Sequence, residues 1–477
     1  MSKARITVST SAPIGAIDRR VYGSFVEHLG RCVYDGIHEP GHPTADEQGF
    51  REDVLALVRE LGVTTVRYPG GNFVSGYRWE DGVGPREQRP VRRDLAWHST
   101  ETNEVGLHEF AHWNRKAGSE PMLAINLGTR GELEALDLVE YTNLPTGSAL
   151  SDRRAANGSE EGFGVGMWCL GNEMDGPWQL GHRSAVDYGK LASRTAKALR
   201  QLQPDLQLVA CGSSNAQMPT FGTWEREVLE QAYDDVDFIS AHVYYYPRDG
   251  DVDSFLASAV DMDRFIEVVG ATIDHVKAEK RSTRDVHISF DEWNVWYQDR
   301  YEGKDRIEGL DNWPKAPRIL EDVYTVADAV VVGSLLISLL KHADRVKSAA
   351  LAQLVNVIAP IMTEPGGPAW RQTIFHPFAI TSRLGRGEAL RAEVAGPTIP
   401  TGRFGDVAAV DAVVTRDEEA GTAAVFLVNR SRTEAVTVSV ALHGFGPLTI
   451  TETATLADDD LDATLSLIHI SEPTRPY

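Results

Sequence analysis

The sequence predicts an α/β fold: a (β/α)8 TIM barrel with an accessory antiparallel β-sandwich domain of jelly-roll-like form. Three observations carry this. Eight short runs rich in β-branched and aromatic residues alternate with amphipathic helical stretches through residues 18–383. Past Arg383 the rhythm gives way to shorter strand-like segments separated by Gly-, Asp- and Arg-rich turns. No Gly-rich phosphate fingerprint follows the first strand, which argues against a doubly wound sheet. The expected division is a barrel over 18–383 and a sandwich built from 1–17 plus 384–464.

Taken in order, the barrel strands are expected at 21–28, 63–69, 121–127, 166–171, 207–211, 238–244, 286–290 and 349–354. Each is short and continuously apolar, as a strand covered on both faces should be. Between the first two, Phe50, Val54, Leu57, Val58 and Leu61 trace one helical face, and Gly62 is placed to end that helix. Tyr188, Leu191, Ala192, Thr195, Leu199 and Leu202 trace another, opened by Ser184 with Asp187 as a variant capping box. The sandwich strands are expected at 407–415, 422–429, 435–442 and 447–453. Residues 4–9 have no place in the barrel count and are expected to pair with them.

The chain has 477 residues, with 47 Lys and Arg against 69 Asp and Glu, a net charge of -22. An anion of this kind repels phosphate backbones and anionic lipid, so neither nucleic acid nor a membrane surface is expected as a partner. Cys32, Cys169 and Cys211 fit no disulfide framework or zinc motif. The first residues show no apolar leader segment, and the longest apolar stretch, 329–340, is far shorter than the roughly 20 residues of a membrane span. The expectation is a cytoplasmic protein.

In such a barrel, chemistry belongs at the C-terminal ends of the strands. Those ends carry Glu27-His28, Arg67 through Asn72, Asn172-Glu173, His242 and Tyr244, Asp291 through Asn294, and Gln353. Glu173 and Glu292 stand out. Each closely follows an apolar strand, and Trp168, Trp178, Trp293 and Trp296 flank them. A pair of carboxylates at the mouth is what glycoside hydrolysis requires, one to protonate the leaving oxygen and one to act at the anomeric carbon.

These residues sit in motifs that resemble glycoside hydrolase family 51. The motifs are Trp168-Cys-Leu-Gly-Asn-Glu173, Phe290-Asp-Glu-Trp-Asn294, Gly23-Ser-Phe-Val-Glu-His-Leu-Gly-Arg31, Val66-Arg-Tyr-Pro-Gly-Gly-Asn-Phe73 and Gln353-Leu-Val-Asn-Val-Ile-Ala-Pro360. The resemblance runs through nearly the whole chain, in order. It implies an exo-acting, retaining α-L-arabinofuranosidase that releases terminal arabinofuranose from arabinan, arabinoxylan or arabino-oligosaccharides. It implies Glu173 as acid/base and Glu292 as nucleophile. Asn172 would bind the sugar 2-hydroxyl, and Glu27 and Asn72 would position the furanose. Arg67 would lie near the nucleophile and Tyr244 would orient it. Trp97 and Gln353 would border the glycone pocket, with His242 behind it. A homo-oligomer, often a hexamer, is expected, with no cofactor. Another glycosidase of the same clan (an endoglucanase or β-xylosidase) and a noncatalytic carbohydrate-binding protein are the alternatives.

His108-Glu-Phe-Ala-His112 matches a zinc-peptidase pattern, with Glu132 at a plausible distance for a third ligand. An apolar strand stands between that helix and Glu132, and Leu136 occupies the place of the pattern's Asp, so no metal site is expected. Residues 465–475 resemble a translated adapter sequence. The tail 465–477 is therefore expected to be foreign to the natural chain, leaving the sandwich short of a terminal strand.

Overall fold

The structure, a computed structural model, describes residues 2–465. All but the first residue of the suspect tail falls outside them. The chain opens with strand β1 (Ser2–Ala16) and then lays down β2 (Gly23–Phe25) and β3 (Thr65–Tyr68). A small hairpin, β4 (Arg92–Asp94) and β5 (Ser99–Glu101), follows. Next come β6 (Glu120–Ala124), β7 (Met167–Leu170), β8 (Gln207–Ala210), β9 (Phe238–Tyr245), β10 (His287–Val295) and β11 (Val346–Leu351). Strands β2, β3 and β6 to β11 close into a parallel eight-stranded barrel, β9 pairing β10 and β11 pairing β2.

The elements form for local reasons. Val54, Leu55, Leu57, Val58 and Leu61 bury one face of the helix Glu52–Leu61, and Gly62 ends it at φ 77°, donating to the Arg59 and Val58 carbonyls. Ser184 caps Ala185–Leu202 by accepting the Asp187 N–H. Inside the barrel, Met122, Ala124, Met167, Cys169, Val209 and Phe238 pack with Val74 as a separate core. Alternate residues such as Trp168 and Leu170 point out to the helices.

After the barrel come the pair β12 (Ile361–Thr363) and β13 (Ala369–Arg371), then a last barrel helix, Phe375–Leu384. The C-terminal domain holds β14 (Glu388–Ala395), the hairpin β15 (Thr398–Thr401) and β16 (Gly405–Ala408), β17 (Val410–Asp417), β18 (Thr422–Asn429) and β19 (Val436–His443). Its sheet runs β18-β17-β14-β1-β19, antiparallel except where β1 lies parallel to β19. Ile6, Val8, Leu390, Ala412 and Val414 form its own core, while Ala389, Val413 and Val428 join the barrel's outer core.

Several expectations shift. The N-terminal strand does pair in this domain, but over Ser2–Ala16. The segment 407–415 divides into β16 and β17. No strand forms at 447–453: Gly444 and Gly446 turn the chain through positive φ, Pro447 removes a donor, and Ile450 is 83% exposed. Strand β14, Glu-Ala-Leu-Arg-Ala-Glu-Val-Ala, carries the composition of a helix and is held extended by β1 and β17. No described helix is long and apolar enough to cross a membrane.

Candidate active site

The mouth of the barrel brings together Glu27, Arg67, Asn72, Trp97, Asn172, Glu173, His242, Tyr244, Glu292 and Gln353. The central pair comes from β10 and the turn after β7. Glu292 lies within β10, one position before Trp293 and two after Phe290. The ladder slips on both sides of Asp291 and Glu292. Such a slip re-aims side chains, and here both carboxylates reach the same buried cluster. Glu173 follows Gly171, and its own backbone is left-handed, at φ 43°.

An oxygen of Glu173, an oxygen of Glu292 and a ring nitrogen of His242 all lie within 4.8 Å of one another. Arg67 Nη1 donates to Glu292 Oε1 at 2.7 Å, and the Tyr244 hydroxyl donates to Glu292 Oε2 at 2.8 Å. Arg67 Nη2 reaches Asn172 Oδ1 at 2.7 Å, and Asn172 Nδ2 donates to Asn72 Oδ1 at 3.3 Å. Glu173 is held at both oxygens, by His242 Nδ1 at 2.9 Å and by Trp178 Nε1 at 2.7 Å. His242 Nε2 lies 2.8 Å from Asp291 Oδ1.

Electrostatics follow from burial and charge. Burial alone would lower His242, but Glu292, Asp291 and Glu173 outweigh it and raise its pKa to about 10. His242 is thus an imidazolium at neutral pH, donating to Glu173 and Asp291. Burial drives the Glu292 carboxyl above its ordinary value, opposed by His242, Arg67 and the Tyr244 hydrogen bond. Asp291 is held below the ordinary range: burial opposes this, but Arg67 and His242 prevail.

A second cluster surrounds Glu27. Its Oε1 accepts the Phe73 N–H at 2.9 Å and the Trp97 indole N–H at 2.8 Å. Its Oε2 accepts Gln353 Nε2 at 3.0 Å, and its own N–H donates to Gln353 Oε1 at 3.3 Å. Burial raises its pKa to about 8 against the pull of Phe73 and Trp97. Gly70 (φ 118°) packs so closely that a Cβ there would come 2.3 Å from Glu27 Cγ.

All ten residues singled out from the sequence therefore meet in two linked clusters. Asp291 and Trp178 were named from the sequence only as a strand-end residue and a flanking residue, and their contacts with His242 and Glu173 were missed. Strand alternation would turn Asp291 away from Glu292, and only the slip in β10 brings both inward. The zinc-like pattern is engaged otherwise. His108 meets the Tyr141 hydroxyl at 2.7 Å, His112 lies 3.2 Å from Asp46, and Glu109 pairs with Arg89. Glu132 pairs with Arg194.

Paired carboxylates at the C-terminal mouth of a parallel barrel, one of them held by an Arg and a Tyr, are the arrangement of a barrel glycosidase. Sequence profiles place it further: the "alpha-L-arabinofuranosidase 1 domain" matches residues 57–263, and the "alpha-L-arabinofuranosidase C-terminal domain" matches 291–469. An intracellular exo-α-(1→5)-L-arabinofuranosidase of Streptomyces lividans is 59% identical over 478 residues, covering 100% of this chain and 71% of the relative. An exo-α-(1→6)-L-arabinofuranosidase of Bifidobacterium longum is 58% identical, covering 97% of this chain and 89% of the relative. A solved family 51 α-L-arabinofuranosidase from Bifidobacterium longum superposes with a TM-score of 0.97 at 51% identity, covering 100% of this chain and 95% of that one. The chain belongs to the family 51 α-L-arabinofuranosidases.

Proposed function

We propose that this chain is an exo-acting α-L-arabinofuranosidase that cleaves terminal arabinofuranosyl groups from arabinan, arabinoxylan or arabino-oligosaccharides with retention. The observation that carries the mechanism is the approach of Glu173 and Glu292 oxygens to within 4.8 Å. Retaining enzymes hold their carboxyl groups roughly 5–5.5 Å apart, inverting ones roughly 6.5–9.5 Å.

Glu292 attacks the anomeric carbon and forms a glycosyl ester as the bond to the leaving oxygen breaks. Glu173 delivers its proton to that oxygen. Glu173 then takes a proton from water as the water displaces Glu292. Arg67 and Tyr244 hold the nucleophile, and the His242 imidazolium fixes Glu173 through Oε1. Asn172 binds the sugar 2-hydroxyl, Glu27 and Asn72 position the furanose, and Trp97 and Gln353 border the glycone pocket. We divide the chain into a catalytic barrel at 18–383 and a C-terminal sheet domain from 1–17 plus 384–464. A cytoplasmic location is supported by relatives named intracellular. A homo-oligomer, to be checked by light scattering, completes the reading.

The test is a substrate panel with product stereochemistry read by NMR. Turnover of an aryl α-L-arabinofuranoside with retention, and little of an aryl β-xyloside, is expected. Glu292→Ala should abolish turnover. Glu173→Ala should slow substrates with poor leaving groups far more than activated aryl ones; equal losses on both would sink the acid/base role.

A further inference from the structure

Asp94 is a buried carboxylate that the mechanism above leaves unused. It ends β4 and sits opposite Ser99 across the hairpin. Its Oδ1 accepts the Ala96 N–H at 3.1 Å, and its Oδ2 accepts the Trp97 N–H at 2.9 Å. Both oxygens are thus spent on folding the four-residue tip 95–98. Leu95 is turned outward, 65% exposed, whereas Trp97 is turned inward and 8% exposed. The indole N–H presented by that turn is the one that meets Glu27 Oε1.

The hairpin, its tip residue His98 included, is tied to the segment that follows β10. Thr100 donates its N–H to the Pro314 carbonyl and its hydroxyl to the Trp313 carbonyl, and His98 stacks on Trp313 at 3.7 Å between ring centroids. Those contacts fix where the hairpin stands. They hold the tip at its far end, at His98, while Asp94 is the side chain that closes the turn leading into Trp97. Around the carboxylate stand Glu27 and His28 after β2, Glu101 on β5 and Tyr301 after β10. Burial raises it to about 6, with the two backbone N–H groups and His28 opposing.

We propose that Asp94 is a positioning residue of the glycone pocket, acting on substrate binding through the turn that aims Trp97 at Glu27. It touches no substrate itself. The inference rests on the reading of Glu27 and Trp97 as glycone binders. An Asn at this position retains one acceptor oxygen and loses the other, so it should keep part of the effect. An Ala loses both.

The test compares Asp94→Asn, Asp94→Ala, Trp97→Phe and the double variant Asp94→Ala/Trp97→Phe with the unaltered protein. An aryl α-L-arabinofuranoside is the substrate and free L-arabinose the competing ligand. The expected result is a rise in KM and in the arabinose inhibition constant of about tenfold for Asp94→Ala, with kcat nearly unchanged. Asp94→Asn should fall between that and the unaltered protein. Trp97→Phe should reproduce the loss, and the double variant should be no worse than the worse single one, because the two act as a unit. Losses that multiply in the double variant, or a fall in kcat at constant KM, would overturn the proposal. If Asp94→Ala does not fold, Asp94→Asn carries the comparison alone, and unchanged KM in it overturns the proposal equally. Failure of the underlying reading looks different: Trp97→Phe and Glu27→Gln would leave KM and arabinose inhibition untouched.

Discussion

At the scale of single residues, the site is built from charges that burial penalises and neighbours restore. Glu27 shows the imbalance most plainly. Its carboxyl is raised from an ordinary 4.5 to about 8 by burial, so the folded protein holds a proton there that the unfolded chain has released. Stability from this group is complete below about pH 4.5 and is lost as pH rises toward about 8. Glu27→Gln, a neutral isostere, should therefore flatten the stability slope across that window and raise the melting temperature at pH 8 to 9, while weakening turnover. Thermal melts at a series of pH values check this; an unchanged slope would show that Glu27 is ionised in the folded state. His242 has the same sign, its stabilisation present below about pH 6.5 and lost as pH rises through about 10. Much of this scale was legible: Glu27, Arg67, Glu173 and Glu292 stand at strand ends in recognisable motifs. Asp291 stands in one of those motifs, but its part in the site was not legible, because a ladder slip aims it; Asp94 was not legible at all, because a turn aims it.

At the scale of elements, the eight barrel strands and their order were readable because each is a short apolar run between amphipathic helices. Their lengths were less so. The expected first strand at 21–28 is reduced to Gly23–Phe25, with a 3-10 turn at Arg19–Tyr22 before it. The reason for glycine at its start is steric: a Cβ on Gly23 would lie 2.4 Å from the Ala349 carbonyl oxygen of the neighbouring strand. Gly23→Ala should force β2 and β11 apart and cost about 1–3 kcal/mol, measured by urea unfolding. Helix Val326–Lys341 offers a milder test. Thr325 and Asp328 form its capping box, so Thr325→Ala should cost about 1 kcal/mol in the same assay.

At the scale of the whole molecule, the C-terminal domain is fastened to the barrel by apolar packing and by ion pairs, among them Arg432 with Asp253 and a knot around Lys341. Lys341 Nζ lies 2.8 Å from Asp263 and 3.3 Å from Asp411, Arg430 reaches Asp411 at 2.7 Å, and His342 lies 3.2 Å from Asp263. Burial presses Asp263 upward, but His342, Lys341 and Ser338 prevail and hold it well below the usual carboxylate range. That stabilisation is present above the ordinary value of 3.8 and is lost as pH falls below it. Lys341→Met removes one partner from each of two carboxylates, leaving Asp411 to Arg430 and Asp263 to His342 and Ser338. With the lysine itself partly exposed, a loss of about 1–3 kcal/mol is expected, with activity per folded molecule unchanged. The sequence showed two parts and the stray N-terminal strand; it did not show β14, whose helix-like composition is overruled by its neighbours.

The position of β1 between β14 and β19 also sets a timetable. The ribosome makes this strand long before its partners, which begin at Glu388 and Val436. At about 5–20 residues per second, the strand emerges roughly 20–75 s before β14 exists to receive it. The barrel can gather in the meantime, while a segment carrying Ile6 and Val8 waits for strands made only after the whole barrel.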